Sequence, residues 1–219
     1  MKKIKLLLFD IDNTLVFGAR ARDYYKQYSL TLEKALAKSL NINLEQATKI
    51  ANYHRNKYYG RGERAFETYN VDMVDWYNAI STISTKGLKP KPGVQKLLVS
   101  LKNNGYILGV ITDCPTLQAK KILKTVGIEK NVFLTFVGWE KNKLMPKGGS
   151  PKIYRKLLSE YKLNPDEVFM IGDSLETDII PADSCGMKVL HISRTSKSKY
   201  PTIDSVELLP DYLKQYEKK

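Results

Sequence analysis

The sequence LLLFDIDNT, residues 6–14, decides how this chain folds, because an apolar strand ends there in two carboxylates. Residues 4–9 are almost all apolar, as expected for a strand buried inside a sheet. Asp10 and Asp12 follow one residue apart, and Thr14 adds a hydroxyl group. A buried strand avoids acidic side chains at its end unless a cation or a reaction requires them. This stretch therefore predicts both a sheet strand and a functional site at its carboxyl end.

Apolar, β-rich runs with helical segments between them indicate a doubly wound α/β fold. The predicted strands are Ile4–Phe9, Tyr106–Ile111, Val132–Val137, Val168–Ile171 and Lys188–Ile192. The intervening segments with helical periodicity are Pro92–Asn103, Leu117–Val126 and Pro151–Leu163. Alternation of this kind is typical of a parallel sheet with helices on both faces.

The interval between the first two predicted strands is too long for a simple crossover and indicates an inserted helical domain. Its three predicted helices cover residues 24–40, 44–59 and 71–82. Asn43 and Gln46 predict a capping box at the start of the second of these helices. The predicted division is a core of residues 1–15 and 88–219 and an all-α insertion of residues 16–87.

Composition and charge favour a soluble cytoplasmic protein and exclude several classes of partner. The 219 residues carry a formal net charge of +13, but the basic residues are dispersed and form no continuous stripe. We therefore expect no nucleic-acid partner, and no apolar run reaches the ~18 residues of a membrane span. With only Cys114 and Cys185, no disulfide is expected. A monomer and a homodimer both remain open.

Polar residues follow several of the predicted strands, at the edge where parallel sheets bind their ligands. The set comprises Asp10, Asp12, Thr14, Thr112, Asp113, Asp173, Glu176 and Asp178, with Lys147 in a loop before the fourth strand. Repulsion among the aspartates would be costly without a cation, and an all-oxygen ligand set suits Mg²⁺. The residues thus predict a Mg²⁺ site with a lysine nearby.

Four motifs in this order resemble those of the haloacid dehalogenase (HAD) superfamily. They are DIDNTL at residues 10–15, ITD at 111–113, a lysine before SPKIY at 150–154, and GDSLETD at 172–178 followed by ADSCGM at 182–187. The resemblance covers residues 1–15 and about 88–195. It implies a Rossmann-like core in which the helical insertion is a C1-type cap of subfamily I.

The resemblance also implies a role for each aspartate. Asp10 would be the nucleophile that accepts the phosphoryl group, and Asp12 would protonate the leaving oxygen and then activate water. Mg²⁺ would be held by the Asp10 side chain, the Asp12 backbone carbonyl and Asp173. Asp178 would complete the metal site by orienting metal-bound waters or the lysine.

Residues that bind the phosphoryl group are implied in the same way. Thr112 and the backbone amides after it would hydrogen-bond this group, and Lys147 would offset its negative charge. Because Lys147 is displaced by one residue from the usual spacing, Lys143 and Lys152 remain open as the motif lysine. Asp113 stands where the family usually has a neutral Asn or Ser, so its charge is expected to affect phosphate binding or selectivity.

Within the insertion, Arg61 is the predicted substrate contact. It lies beside two glycines and close to Tyr58 and Tyr59 in a polar loop that is able to face the core. His54, a few residues earlier, is expected on a helix surface.

The presence of Asp12 favours phosphoryl transfer, because dehalogenases of this superfamily generally lack the second acid. The predicted function is Mg²⁺-dependent hydrolysis of a small phosphorylated metabolite through an aspartyl-phosphate. The alternatives are a sugar-phosphate mutase, a haloacid dehalogenase of the same superfamily and a non-catalytic binding protein.

Overall fold

The computed structural model describes residues 4–16, 22–58, 60–140, 146–147, 149–195 and 198–217. Its sheet consists of the strands β1 (Leu6–Phe9), β2 (Ile107–Pro115), β3 (Thr135–Trp139), β4 (Val168–Gly172), β5 (Lys188–Ile192) and β6 (Thr202–Ile203). The strands are parallel and lie in the order β3-β2-β1-β4-β5-β6. All five predicted strands are present, but the third begins at Thr135 instead of Val132, because Lys130–Val132 form a short 3-10 helix. β6 is an edge strand that the sequence did not indicate.

β1 lies at the centre of the sheet and is buried on both faces. Leu7 and Phe9 belong to one hydrophobic cluster, whereas Leu6 and Leu8 belong to another. Successive side chains of a strand point to opposite faces, so a strand covered on both sides needs an uninterrupted apolar run. This requirement explains why residues 6–9 carry no polar side chain.

The helical insertion between β1 and β2 consists of α1 (Arg22–Leu40), α2 (Leu44–Lys57), α3 (Arg64–Thr68) and α4 (Val74–Ile80). The predicted capping box is confirmed, since the Gln46 amide donates to Asn43 Oδ1 at 2.9 Å and the Asn43 amide to Gln46 Oε1 at 3.2 Å. The helix predicted over residues 71–82 is shorter, and α3 was not predicted. The division into two domains stays a prediction.

The prediction for His54 is wrong. Its side chain is only 2% exposed. One ring nitrogen lies 3.0 Å from the Ile50 carbonyl oxygen, and the other lies 3.0 Å from the Thr68 hydroxyl. Thr68 belongs to α3, so the helix that covers His54 is the one that the sequence did not reveal.

Both faces of the sheet are covered by helices, as a doubly wound fold requires. The remaining helices are α5 (Val94–Asn103), α6 (Thr116–Thr125), α7 (Lys152–Tyr161), α8 (Ile180–Asp183) and α9 (Leu209–Glu217). Side chains of α5, α6 and α9 join the cluster of Leu7 and Phe9, and those of α7 and α8 join the other cluster. The strand order reverses at β1, which creates a crevice for ligands at its carboxyl end.

None of the helices in the described part of the chain is both long enough and apolar enough to cross a membrane.

Candidate active site

The turn after β1 joins the ends of the two central strands. Asp10 directly follows β1, and its amide donates to the Ile171 carbonyl of β4 at 3.0 Å. Asn13 has a φ of 55°, a left-handed conformation that asparagine tolerates better than most residues. Its side-chain amide donates to Asp173 Oδ2 at 3.0 Å. The turn therefore holds the loop that follows β1 against the loop that follows β4.

Lys147 is the lysine that the structure brings to Asp10. Its Nζ lies 2.6 Å from Asp10 Oδ1 and 2.6 Å from Asp178 Oδ1, and the residue is 4% exposed. Burial alone would lower the pKa of Lys147, but the charges of the two carboxylates outweigh it and raise that pKa. Lys152 is exposed at the start of α7, and Lys143 lies outside the described residues.

Asp178 is held in the site by the backbone that follows β4. It lies in a turn of π-helix over Leu175–Ile179, and the Ser174 amide donates to its Oδ2 at 3.1 Å. A Cβ at Gly172 would lie only 2.2 Å from the same oxygen. Glycine at this position therefore allows the fully buried carboxylate to approach the strand end.

Three carboxylates form a cluster that fits a small, hard cation. One oxygen from each of Asp10, Asp173 and Asp178 lies within 4.8 Å of the others. Burial, reinforced by the charge of Asp178, raises the pKa of Asp173 to about 6. Lys147 supplies one positive charge against three negative ones, so the cluster with its lysine carries a net negative charge. An all-oxygen donor set with this negative charge suits Mg²⁺.

Asp12 is not one of the three clustered carboxylates, and its side chain contacts the helical insertion. Its Oδ1 accepts a hydrogen bond from the Tyr25 hydroxyl of α1. Burial raises the pKa of Asp12, while the hydrogen bond from Tyr25 and the charge of Lys147 act in the opposite direction. Sequence reasoning missed Tyr25, since the tyrosines near residues 24–28 gave no sign of which one reaches the core. The role of the Asp12 backbone carbonyl as a metal ligand stays a prediction.

Thr112 and Asp113 lie near the carboxyl end of β2. Thr112 is 2% exposed, and its hydroxyl accepts from the Cys114 amide at 3.2 Å. Asp113 Oδ1 accepts from the Lys147 amide at 2.7 Å, and its Oδ2 lies 3.3 Å from Arg61 Nη2. Asp113 carries a negative charge where the family usually has a neutral residue, and this charge is paired with Arg61 of the insertion.

Arg61 faces the core from the loop between α2 and α3. The residue is 8% exposed, and its Nε donates to Glu63 Oε1 at 2.9 Å. Glu63, also 8% exposed, was not singled out from the sequence. Tyr59, which was grouped with Arg61, lies outside the described residues.

A cavity of about 390 Å³ lies between the strand ends and the insertion, and Thr14 and Glu176 are not among the residues that line it. All the residues that were given a catalytic, substrate-binding or metal-binding role do line it. They are Asp10, Asp12, Arg61, Thr112, Asp113, Lys147, Asp173 and Asp178. Tyr25 and Glu63 line it as well. Loops at the strand ends form one wall of this cavity, and the helical insertion forms the other.

A buried lysine among carboxylates lies at the switch point of a doubly wound sheet, which is the place where α/β enzymes of this architecture bind their ligands. Residues 4–186 match the family described as haloacid dehalogenase-like hydrolase. The chain belongs to this family.

Several relatives of this chain are phosphatases. The glyceraldehyde 3-phosphate phosphatase of Pyrococcus furiosus is 30% identical over 201 residues, which cover 87% of this chain and 81% of that protein. The phosphoglycolate phosphatase of Vibrio cholerae is 25% identical over 209 residues, which cover 85% of this chain and 83% of that protein. The chain is accordingly a phosphoric monoester hydrolase.

The fold has a close match among solved structures. The crystal structure of a HAD phosphatase from Thermococcus onnurineus superposes with a TM-score of 0.67 and 23% identity, over 96% of this chain and 98% of the other. At this identity the likeness supports the fold alone, and it agrees with the doubly wound sheet described above.

Proposed function

We propose that this phosphatase hydrolyses a small phosphorylated metabolite with the help of Mg²⁺ and through an aspartyl-phosphate on Asp10. The observation that carries the proposal is the contact of Lys147 Nζ with Asp10 Oδ1 and Asp178 Oδ1, at 2.6 Å each. This contact orients the Asp10 carboxylate and leaves its second oxygen available for attack. A carboxylate nucleophile divides one difficult displacement into two easier ones.

In the first step, Asp10 attacks phosphorus and the bond from phosphorus to the leaving oxygen breaks. Asp12 gives its proton to that oxygen, so the alcohol leaves in neutral form. Burial raises the pKa of Asp12, which favours the protonated form that this step requires. The hydrogen bond from Tyr25 fixes one carboxyl oxygen of Asp12 and thereby the position of the acid.

In the second step, Asp12 takes a proton from water, and the water oxygen attacks phosphorus. The bond between phosphorus and Asp10 breaks, inorganic phosphate leaves, and both aspartates return to their starting states. Thr112, which lines the cavity, would donate a hydrogen bond to the phosphoryl oxygens.

The cluster of Asp10, Asp173 and Asp178 would hold Mg²⁺, with the Asp12 carbonyl as a further ligand. The cation would neutralise phosphoryl charge as a Lewis acid. Asn13 supports this arrangement by fixing Asp173 through its side-chain amide.

A small substrate is favoured because the helical insertion forms one wall of a cavity of only about 390 Å³. The relatives named for glyceraldehyde 3-phosphate and phosphoglycolate point to metabolites of this size. The same proposal has the enzyme acting in the cytoplasm as a monomer or homodimer, without a nucleic-acid or membrane partner.

The test measures phosphate release from a panel of metabolite phosphomonoesters with Mg²⁺, with EDTA, and after Mg²⁺ is restored. We expect hydrolysis that EDTA abolishes and Mg²⁺ restores. Acid quenching during turnover, followed by peptide mass spectrometry, should place a phosphoryl group on Asp10.

The alternatives give different results in the same assays. Activity that survives EDTA, or turnover without a phosphorylated Asp10, would contradict the proposed mechanism. Phosphate passed between positions of a sugar without release would indicate a mutase, and release of halide from a haloacid would indicate a dehalogenase. Binding without turnover of any ester would indicate a non-catalytic protein.

A further inference from the structure

The guanidinium of Arg61 is buried in the cavity wall with two acidic partners. Its Nε donates to Glu63 Oε1 at 2.9 Å, and its Nη2 lies 3.3 Å from Asp113 Oδ2. The third nitrogen, Nη1, is buried and has no hydrogen-bond partner among the described residues. A buried donor without a partner is costly, and because the Arg61 side chain lines the cavity, an acceptor from a bound ligand would satisfy it.

The charge around this nitrogen decides what kind of acceptor fits. Arg61 contributes one positive charge, and Glu63 and Asp113 contribute up to two negative ones. Burial raises the pKa of Glu63, with Arg61 opposing that shift. Glu63 forms an ion pair with Arg61, so together with Asp113 the three side chains carry a net negative charge.

The other positive side chains that the structure describes along the cavity do not change this balance. Among the described residues that line the cavity, the remaining positive ones are Lys147 and Arg55. Lys147 contacts Asp10 and Asp178, and Arg55 Nη1 lies 2.8 Å from Glu33 Oε1. Each of these cations therefore already has a carboxylate partner.

We propose that the site selects phosphomonoesters of uncharged, hydroxyl- or carbonyl-bearing alcohols and disfavours substrates with a second anionic group. The inference rests on the proposed function and specifies the substrate class of that same site. A neutral oxygen on the leaving alcohol accepts from Arg61 Nη1. The hydroxyls of Tyr24, Tyr28 and Ser29, which also line the cavity, supply further neutral partners.

A carboxylate on the leaving alcohol would lie beside Arg61, whose positive charge is already balanced by Glu63 and Asp113. It would lose its hydration and would also lie close to Glu63 and Asp113, which repel it. A neutral hydroxyl or carbonyl pays no such penalty, because its desolvation is offset by the hydrogen bond from Nη1. Discrimination thus arises from repulsion as well as from attraction.

The test compares substrates that differ by a carboxylate and little else. One pair is 2-hydroxyethyl phosphate and 2-phosphoglycolate, and a second is glycerol 3-phosphate and 3-phosphoglycerate. We expect kcat/KM to be at least about tenfold higher for the neutral member of each pair. Equal values, or a preference for the carboxylate, would overturn the inference.

Charge-changing variants show whether the Arg61 cluster causes the preference. Glu63→Gln keeps an acceptor for Arg61 and removes one negative charge, so the ratio of neutral to anionic substrate should fall several-fold. Glu45→Gln is the matched control, because Glu45 has a side chain 76% exposed on α2 and should leave the ratio unchanged. Asp113→Asn provides a second, independent change of charge in the same direction.

Failure of the inference differs from failure of the proposed function. If the enzyme hydrolyses both members of each pair and prefers the carboxylate, only the substrate class is wrong. If the enzyme with Mg²⁺ hydrolyses neither these four esters nor any other phosphomonoester, the proposed function itself is wrong. A ratio that responds equally to Glu63→Gln and Glu45→Gln would remove the cluster as its cause.

Discussion

The strand-end loops and the helical insertion form the two walls of one cavity, but they contribute different chemistry. The strand-end wall carries Asp10, Lys147 and Asp178 in direct contact, all of them nearly inaccessible to solvent. The insertion contributes Tyr25 and Arg61, each of which reaches one aspartate of the opposite wall. In the proposed function the first wall carries out the reaction, and the second wall positions groups around it. Substitutions in the two walls should therefore differ in size and in kind.

The largest effect is expected for Asp10→Asn, which removes the proposed nucleophile from the strand-end wall. Turnover should fall by about 10³-fold or more, because an amide oxygen does not form the covalent intermediate. Phosphate release under single- and multiple-turnover conditions measures the loss, and circular dichroism checks that the fold is intact. Asp211→Asn, on the exposed surface of α9, is the control for an equal change of charge. Phosphate release at the wild-type rate would show that Asp10 is not the nucleophile.

The second-largest effect is expected for Lys147→Met, which should affect stability as well as activity. Removing this lysine leaves Asp10 and Asp178 buried without their counter-charge, which should lower the free energy of unfolding by about 3 kcal/mol. Mg²⁺ should then raise the melting temperature more than in the wild type, since it binds the folded state and replaces the lost charge. Denaturation with and without Mg²⁺ measures both quantities.

Lys152→Met is the matched control for this variant, because Lys152 is exposed at the start of α7. It should change neither stability nor turnover measurably. If Lys152→Met were the more damaging substitution, the assignment of the motif lysine to residue 147 would be wrong.

A moderate effect is expected in the insertion wall for Tyr25→Phe, which removes the hydrogen bond to Asp12. An acid that is poorly positioned matters most for leaving groups that need a proton. We expect about a tenfold loss with alkyl phosphates and little loss with p-nitrophenyl phosphate, whose leaving group departs without protonation. Tyr53→Phe, at a residue 59% exposed on α2, is the control. An equal loss with both kinds of ester would assign Tyr25 a structural role instead.

The strand-end wall could be predicted from the sequence because its signals are local. Continuous apolar runs marked β1 and β4, and the acidic residues follow each strand within a few positions. The lysine could not be assigned in this way, since no pattern in the sequence selects residue 147 over residues 143 and 152. Its contact with Asp10 spans 137 residues of sequence, and only the folded chain reveals it.

The insertion wall could be predicted only in outline, for a physical reason. Helical periodicity indicates which segments are helices and which apolar face packs inward, but it does not indicate which polar side chain reaches the cavity. Tyr25 and Glu63 reach the cavity because of how the helices pack, and β6 is too short, at two residues, for any pattern to appear. Arg61 was found because it lies in a glycine-flanked loop, whereas its pairing with Asp113 joins residues 52 positions apart.

The smallest effect is expected far from both walls, at the amino end of the sheet. Glu167 immediately precedes β4, and its carboxylate lies 2.8 Å from Lys5 Nζ and accepts from the Asn164 amide at 3.0 Å. Two hydrogen bonds lower the pKa of Glu167 below its ordinary value of 4.5. The bond from Lys5 has the larger effect, and the bond from the Asn164 amide has the second largest. Glu167→Gln should lower stability slightly and leave kcat unchanged, because the reacting groups lie at the opposite edge of the sheet.

The pH dependence of this small effect has a definite sign. Since the folded-state pKa lies below the unfolded value, the contribution of Glu167 is fully present above the unfolded pKa and disappears as the pH falls through the folded one. The difference in unfolding free energy between wild type and Glu167→Gln should therefore be constant near pH 7 and shrink below about pH 4. Glu160→Gln, exposed on α7, should show no such trend. A change in kcat for Glu167→Gln would contradict the separation of the chemical edge of the sheet from its structural edge.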